Sequence, residues 1–416
     1  MLASMVGREA QRAELRVSDL VPVGGLRRCA PAMHGASLLA VAARERHSEV
    51  LSGFSRLPIV KSVIDTSDTT MRAATDRGPL ELHVATPEAA GAALVWHTGS
   101  KRHTAKLGRR AAARQMTFNG PLLLGRNGVE MTVRDEDTCY RLLGLPYIPP
   151  ELREGEDEID AADRGALPRL VSTLHIRGDL HLHSTWSDGR DSILHMVLSA
   201  QRLGYEYVAI TDHSERSWAS RKLLGLEIPL QRQEIESIRP QAPGIEILHG
   251  VEVDIMPDGS LDFDDEQLAG FDIVLASLHD DHGHDSQQLT ERYLSAIRHP
   301  LVNIITHPAN RSPALSDGYD LDFDRLFQAA VETGTAMEVD GSPGHLDMDG
   351  RIARRAAAAG VTIVINSDGH RADALGRQMR FGLGTARRGW IEPDRVLNAR
   401  GADAVRAFVA RKRAGG

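Results

Sequence analysis

From residue 172 onward the chain alternates short apolar runs with longer amphipathic stretches. Seven runs rich in β-branched and aliphatic residues fall at 174–183, 207–213, 245–255, 273–279, 302–307, 336–340 and 362–367. Between most of them the apolar positions recur with helical spacing, at 191–203, 288–298, 322–333 and 349–359. Buried-type strands that alternate with helices are the pattern of parallel βαβ units. Seven repeats in about 200 residues predict an α/β fold closed as a β/α barrel slightly smaller than the eight-stranded form.

The first 150 residues follow no such rhythm. Their pattern predicts strands at 51–64, 80–85 and 131–133 and helices at 36–47, 88–97 and 135–143, a smaller α+β region. Ile148-Pro149-Pro150 then opens an acidic stretch of linker character, with a short helix from Ile159 ending near Pro168. The expected division is a short N-terminal segment (1–23), the α+β region (24–150), a linker (151–171) and the barrel (172–416).

Composition narrows the function classes. A chain of 416 residues exceeds one ordinary domain. The formal charge of −8 argues against a globally electrostatic nucleic-acid binder and leaves room only for a local basic face. Two cysteines, Cys29 and Cys139, exclude a disulfide framework and fit a reducing compartment. No stretch approaches the ~18 apolar residues of a membrane span, and the arginine-bearing N-terminus lacks a long apolar core. The expectation is a cytoplasmic protein with no membrane association.

The chemistry lies at the ends of the seven runs. The first ends in His181-Leu182-His183, where alternation puts both imidazoles on one side of a strand. Asp188 follows in the next loop. The second run ends in Asp212-His213, and the third holds Glu252 and Asp254. The fourth ends at His279 and the fifth at His307. The sixth carries Glu338, and the seventh closes on Asp368-Gly369-His370. In parallel β/α folds the C-terminal strand ends build the active site. One histidine at a strand end is commonly structural, but independent structural residues have no reason to share one rim.

Imidazole and carboxylate ligands without thiolate suit Zn²⁺, Mn²⁺ or Fe²⁺. With Asp212, Asp254 and Glu338 left in supporting roles, nine donors remain: His181, His183, Asp188, His213, Glu252, His279, His307, Asp368 and His370. One ion takes about four to six ligands, so two or three divalent ions are expected, with Glu252 as the natural bridge. Ions ~3.5–4 Å apart bind two oxygens of a phosphate and hold a nucleophile in line. Phosphoester hydrolysis follows, although the ligands alone also suit amide hydrolysis.

These motifs, His-Leu-His-Ser-Thr-Trp-Ser-Asp-Gly (181–189), Ile-Thr-Asp-His (210–213), Gly-Val-Glu-Val-Asp-Ile (250–255), Ser-Leu-His (277–279), Thr-His-Pro (306–308) and Asn-Ser-Asp-Gly-His (366–370), resemble those of the PHP (polymerase and histidinol phosphatase) superfamily. The resemblance covers residues 177 to about 390. It implies a distorted seven-stranded, TIM-like barrel with three ions. One would take His181, His183, Glu252 and Asp368; a second Glu252, His279 and His307; a third Asp188, His213 and His370.

Upstream, residues 50–58, 91–94, 98–103 and 143–153, and the closing Gly-Thr-Ala-Arg-Arg-Gly-Trp (384–390), resemble bacterial family X DNA polymerases that carry a C-terminal PHP domain. Residues 24–150 would then be a palm-and-thumb remnant. The palm's paired aspartates fall on Ala36 and Leu38 in one register, or on Gly35 and Ser37 in the other, and its third carboxylate on Glu81. Without the aspartate pair two Mg²⁺ cannot be held against a nucleotide triphosphate, so polymerisation should be lost.

The leading expectation is a metal-dependent phosphoesterase acting on DNA 3′ ends, as a 3′–5′ exonuclease or 3′-phosphatase in DNA repair. Asp212 and Asp254 would support the ligands or carry protons. Arg380, ahead of Arg387 and Arg388, would contact phosphate. Lys101, Arg102, Lys106, Arg109, Arg110 and Arg114, between 101 and 114, would meet a DNA backbone. Two alternatives are a small-molecule phosphatase of the histidinol-phosphate type and a noncatalytic DNA-end binding protein.

Overall fold

The computed structural model describes residues 2–15, 17–33, 35–313 and 315–415. The chain divides into two compact units, Met1–Leu167 and Pro168–Gly416.

The second unit is built on seven strands: β8 (Gly178–Leu182), β9 (Tyr207–Ile210), β10 (Glu246–Asp254), β11 (Ile273–Ser277), β12 (Ile304–Ile305), β13 (Ala336–Asp340) and β14 (Ile363–Asn366). They lie side by side in chain order, and each pairs with the next in parallel. Helices such as Ile193–Arg202, Ser286–Arg298, Phe323–Thr333 and Gly350–Ala359 return the chain between them. This is the expected seven-stranded α/β barrel.

Alternation along each strand sorts its residues. On β10, Ile247, Val251 and Val253 pack outward against the helices, while Leu248 joins an inner apolar plug. The plug also takes Leu180, Tyr207, Ile273, Leu275, Ile304, Ala336 and Val364, and it is filled from the C-terminal helix Ala402–Gly415 by Val405, Phe408 and Val409. Two residues further along the same inward row stands Gly250, then Glu252, then Asp254. The inward rows are therefore apolar at the N-terminal strand ends and polar at the C-terminal ends. On β8 an irregularity between Asp179 and Leu182 shifts the phase. Leu180 stays in the plug, Leu182 turns outward, and His181 and His183 fall on the inward side.

Between β8 and β14 the sheet closes largely through side-chain amides. Asn366 Oδ1 accepts from the Leu180 amide at 2.9 Å. Asn398, fully buried, donates to the carbonyls of Gly178 (2.8 Å) and Ile365 (2.6 Å) and accepts from the Ile365 amide at 3.0 Å. One side chain thus satisfies backbone groups on both strands that would otherwise be orphaned.

The first unit has a five-stranded sheet of order β1-β2-β5-β4-β3, formed by β1 (Asp19–Val23), β2 (Ala36–Val41), β3 (Val60–Thr66), β4 (Thr70–Thr75) and β5 (Gly78–Ala85), and a hairpin of β6 (Thr117–Phe118) and β7 (Leu123–Leu124). Several expectations fail here. Residues 36–47, read as a helix, contain β2, because pairing with β1 and β5 on its two sides overrides the helical propensity of Ala and Leu. Residues 51–64, read as a strand, hold the end of the helix His47–Ser55, a turn, and the start of β3. The buried positions Val50, Leu51 and Phe54 carry helical spacing. Residues 131–133 form no strand.

The acidic stretch read as a linker is folded into this unit as far as the helix Glu158–Asp163. Arg153 is fully buried, 2.5 Å from Glu136, and donates to the Ile148 carbonyl at 2.8 Å. Glu158 lies 2.6 Å from His103. Partners distant in sequence neutralise these charges, which a local reading of composition cannot foresee.

The closure of the barrel yields a prediction. Asn398→Ala removes three hydrogen bonds at the β8–β14 seam and strands buried backbone groups. It should destabilise the chain by about 3 kcal/mol, read as a lower urea midpoint by circular dichroism.

Candidate metal centre

The C-terminal strand ends bring all nine expected donors to one rim. Glu252, on β10 and fully buried, is their hub. Its Oε2 lies 2.9 Å from His213 Nδ1, 3.4 Å from His181 Nε2 and 3.5 Å from His183 Nε2. Its Oε1 lies 2.9 Å from His307 Nε2 and 3.5 Å from His279 Nε2. Asp368 Oδ1 stands 3.2 Å from His183, 3.7 Å from His181 and 3.4 Å from His370. Asp188 Oδ1 lies 3.1 Å from His370 and 3.6 Å from His213.

Three sets of ligand atoms fall within 4.8 Å of one another and follow much of the expected grouping: His181, His183 and Asp368; His213, Glu252 and His279; and His183, Asp188, His213 and His370. His307 joins none of these sets, although it approaches Glu252. The donors are chemically suited to divalent ions. His181 Nε2, both nitrogens of His183, Asp188 Oδ1, His213 Nδ1, Glu252 Oε2 and His307 Nδ1 are buried with no hydrogen bond. Buried polar atoms are normally satisfied, so this concentration of orphans marks a place for cations.

The supporting residues divide the work. Glu338 on β13 lies 2.9 Å from His181 Nδ1, which turns Nε2 toward the cluster. It also accepts from the His307 amide (3.0 Å), Asn366 Nδ2 (2.8 Å) and the Thr306 hydroxyl. Asp254 Oδ1 takes His279 Nδ1 at 2.9 Å. Asp212 instead anchors the loop that carries Asp188. It accepts from the Ser184 amide and hydroxyl (2.7 and 2.6 Å), the Ser187 amide and hydroxyl (3.1 and 2.6 Å) and Gln231 (2.7 Å). With its oxygens occupied in this way, Asp212 positions a loop and is poorly placed to move protons.

Arg380 is exposed on the helix Leu375–Arg388, near enough to Tyr205, ahead of β9, to act on it electrostatically. Arg387 donates to the Val171 carbonyl at 2.9 Å, ahead of β8. Among the arginines near the site is Arg221, whose Nη2 donates to the Gly189 carbonyl at 3.2 Å. Asp340 and His345 also stand at the rim and were not foreseen. Asp340 repeats the Glu252-x-Asp254 spacing as Glu338-x-Asp340, a signal the sequence did carry.

The charges are strongly coupled. Burial works against ionised Glu252, but His213 and His181 outweigh it and hold its carboxyl well below the usual range. Burial together with neighbouring His370 and His213 pushes His183 down to about 3. For His279, burial is outweighed by the hydrogen bond to Asp254 and by Glu252, raising it to about 9. For His370, burial is outweighed by Asp368 and Asp188, again raising it to about 9.

The sign of a pH effect follows. Below about 9 the ion-free chain keeps His279 and His370 protonated, and ligation requires neutral imidazole. Metal binding should therefore release protons, and affinity should rise as pH climbs from about 6 to about 8. Calorimetric titration with Mn²⁺ in buffers of different ionisation enthalpy measures this. An affinity flat with pH and without proton release would contradict the assignment.

Comparison with known proteins agrees with this geometry. Residues 179–313 match the PHP domain and residues 93–154 the DNA polymerase beta thumb. A DNA polymerase/3′-5′ exonuclease PolX of Bacillus subtilis (strain 168) is 36% identical over 381 residues, 89% of this chain; the chain spans 65% of that relative's length. A probable phosphatase of Thermoanaerobacter sp. (strain X514) is 32% identical over 232 residues, 53% of this chain and 89% of the relative. A probable phosphatase of Syntrophotalea carbinolica is 28% identical over 239 residues, 55% of this chain and 94% of the relative. The chain belongs to the PHP superfamily, in the family X-like arrangement that joins a PHP barrel to a polymerase thumb.

Proposed function

We propose that this chain is a metal-dependent phosphoesterase of DNA 3′ ends, a 3′–5′ exonuclease or 3′-phosphatase serving DNA repair. The observation that carries the reading is the convergence of nine imidazole and carboxylate donors around Glu252 in a chain that also has a polymerase thumb. Two or three Mn²⁺ or Zn²⁺ ions in that ring would neutralise the phosphate and activate water for in-line attack. The chain's own groups hold that arrangement: Glu338 aims His181, Asp254 aims His279, and Asp212 fixes the loop of Asp188.

The first unit is read as a DNA-contacting element without polymerase activity. Ser37 of β2 pairs in register with Glu81 of β5, their side chains 3.5 Å apart, and β2 (Ala36–Val41) carries no acidic residue. A two-ion nucleotidyl transfer site lacks its carboxylate pair there. Within the thumb-matching region, Lys106 and Arg110 are engaged internally, Arg110 by Leu143, Gly144 and Asp163 and Lys106 by Glu156. Lys101, Arg102, Arg109 and Arg114 are exposed and available to phosphates. No helix among the described residues is long and apolar enough to cross a membrane; the protein is read as cytoplasmic.

With Mn²⁺ the purified chain should shorten a 5′-labelled primer from its 3′ end. Asp254→Asn and Glu338→Gln should slow this by roughly 10–100-fold, and His183→Ala by more. Undiminished activity in His183→Ala would sink the reading. The relatives named probable phosphatases, covered almost whole, favour a second reading, a small-molecule phosphatase. Faster turnover of histidinol phosphate than of a 3′-phosphorylated oligonucleotide would select it.

A further inference from the structure

One carboxylate at the rim is outside the nine donors and lacks a partner for half its charge. Asp340 ends β13 two residues after Glu338, on the same inward row, and is fully buried. Its Oδ1 accepts from the Ser342 amide at 2.5 Å, while Oδ2 is buried and accepts nothing. Beside it the chain turns tightly. The amides of His345 and Leu346 both bond to the Ser342 carbonyl, at 3.0 and 2.8 Å. Asp347 pins the turn from below by accepting from the Ala309 amide at 2.8 Å. The turn lays the His345 ring on that of His307, 4.7 Å between centroids and 15° between planes, with its Nδ1 buried and unbonded.

The ligand atoms of Asp340, His345 and Asp368 lie within 4.8 Å of one another. We propose that these three residues form an additional divalent-cation site at the β13–β14 edge of the rim, with Asp368 bridging it to the ion held by His181 and His183. The inference rests on the reading of the rim as a metal centre. Asp340 and Asp368 would otherwise set two acidic groups side by side out of water, with Oδ2 of Asp340 unmatched. A buried carboxylate is paired, protonated or bound to a metal. One imidazole and two carboxylates suit Mn²⁺, Zn²⁺ or Fe²⁺, with water completing the shell. The pinned turn fixes the imidazole where such an ion needs it.

Equilibrium dialysis of the full chain against Mn²⁺, with protein-bound metal counted at saturation, tests this. Asp340→Asn is isosteric and His345→Gln changes a position at the lip, so at least one should fold, as checked by circular dichroism. A folded variant should bind one ion fewer per chain than wild type and keep the others. Equal metal content in wild type and a folded variant would overturn the site and point to a protonated Asp340, whose hydrogen bond asparagine replaces. If wild type hydrolyses a phosphate ester while that equality holds, only this inference falls. If wild type binds no metal and hydrolyses nothing, the proposed function falls with it.

Discussion

Everything at the rim depends on one constraint, a buried carboxylate surrounded by imidazoles. Glu252 is out of contact with water, and five histidines from four strand ends approach its two oxygens at 2.9–3.5 Å. An ionised carboxylate in that position is tolerable only if positive charge stays close. In the ion-free chain, protonated histidines supply part of it. With ions bound, the same oxygens would serve as ligands, and metal would replace protons around a fixed anion.

The barrel makes this affordable by separating apolar from polar positions along single rows of residues. Leu248, Gly250, Glu252 and Asp254 share one inward row of β10, and the other strands repeat the gradient. The plug around Leu275, Ile304 and Phe408 gives the lower half a dry core, while the upper half carries acids and imidazoles. Gly250 sits at the change-over, where an added Cβ would come within 3.0 Å of Thr211 and Ile273 atoms. Placing the ligands at the end of the rows keeps them on rigid strands while leaving one side open to substrate.

How much of this was legible in the sequence follows from the range of the interactions. The shared rim of the nine donors was legible, because strand alternation and position at a strand end are local properties that survive folding. Asp212 was found as a supporting residue, but its partners were not, since Ser184, Ser187 and Gln231 arrive from two other segments. Arg380 was named from guanidinium chemistry alone, which says nothing about where an exposed helix residue points. In the first unit, β2 has the composition of a helix, and only its two neighbouring strands decide otherwise. Arg153 and Glu158 looked like linker charges because their partners, Glu136 and His103, lie 17 and 55 residues away.

The same reasoning bears on how differently the two units hold their carboxylates. The β2–β5 pairing of the first unit survives where Ser37 faces Glu81, although a serine cannot replace a metal-binding carboxylate. Its stability rests on Leu38, Ala40, Leu80 and Leu82 on one face and on Leu39 and Ala85, in line with Ser37 and Glu81, on the other. A substitution at half-buried Ser37 or Glu81 therefore costs the fold less than one at these apolar positions. At the PHP rim the opposite holds. Glu252, Asp368 and Glu338 are buried against histidines, and removing any one leaves unpaired charge in the interior. A ligand set that is also part of the core is protected by stability itself, whereas a solvent-facing set is protected only by its function.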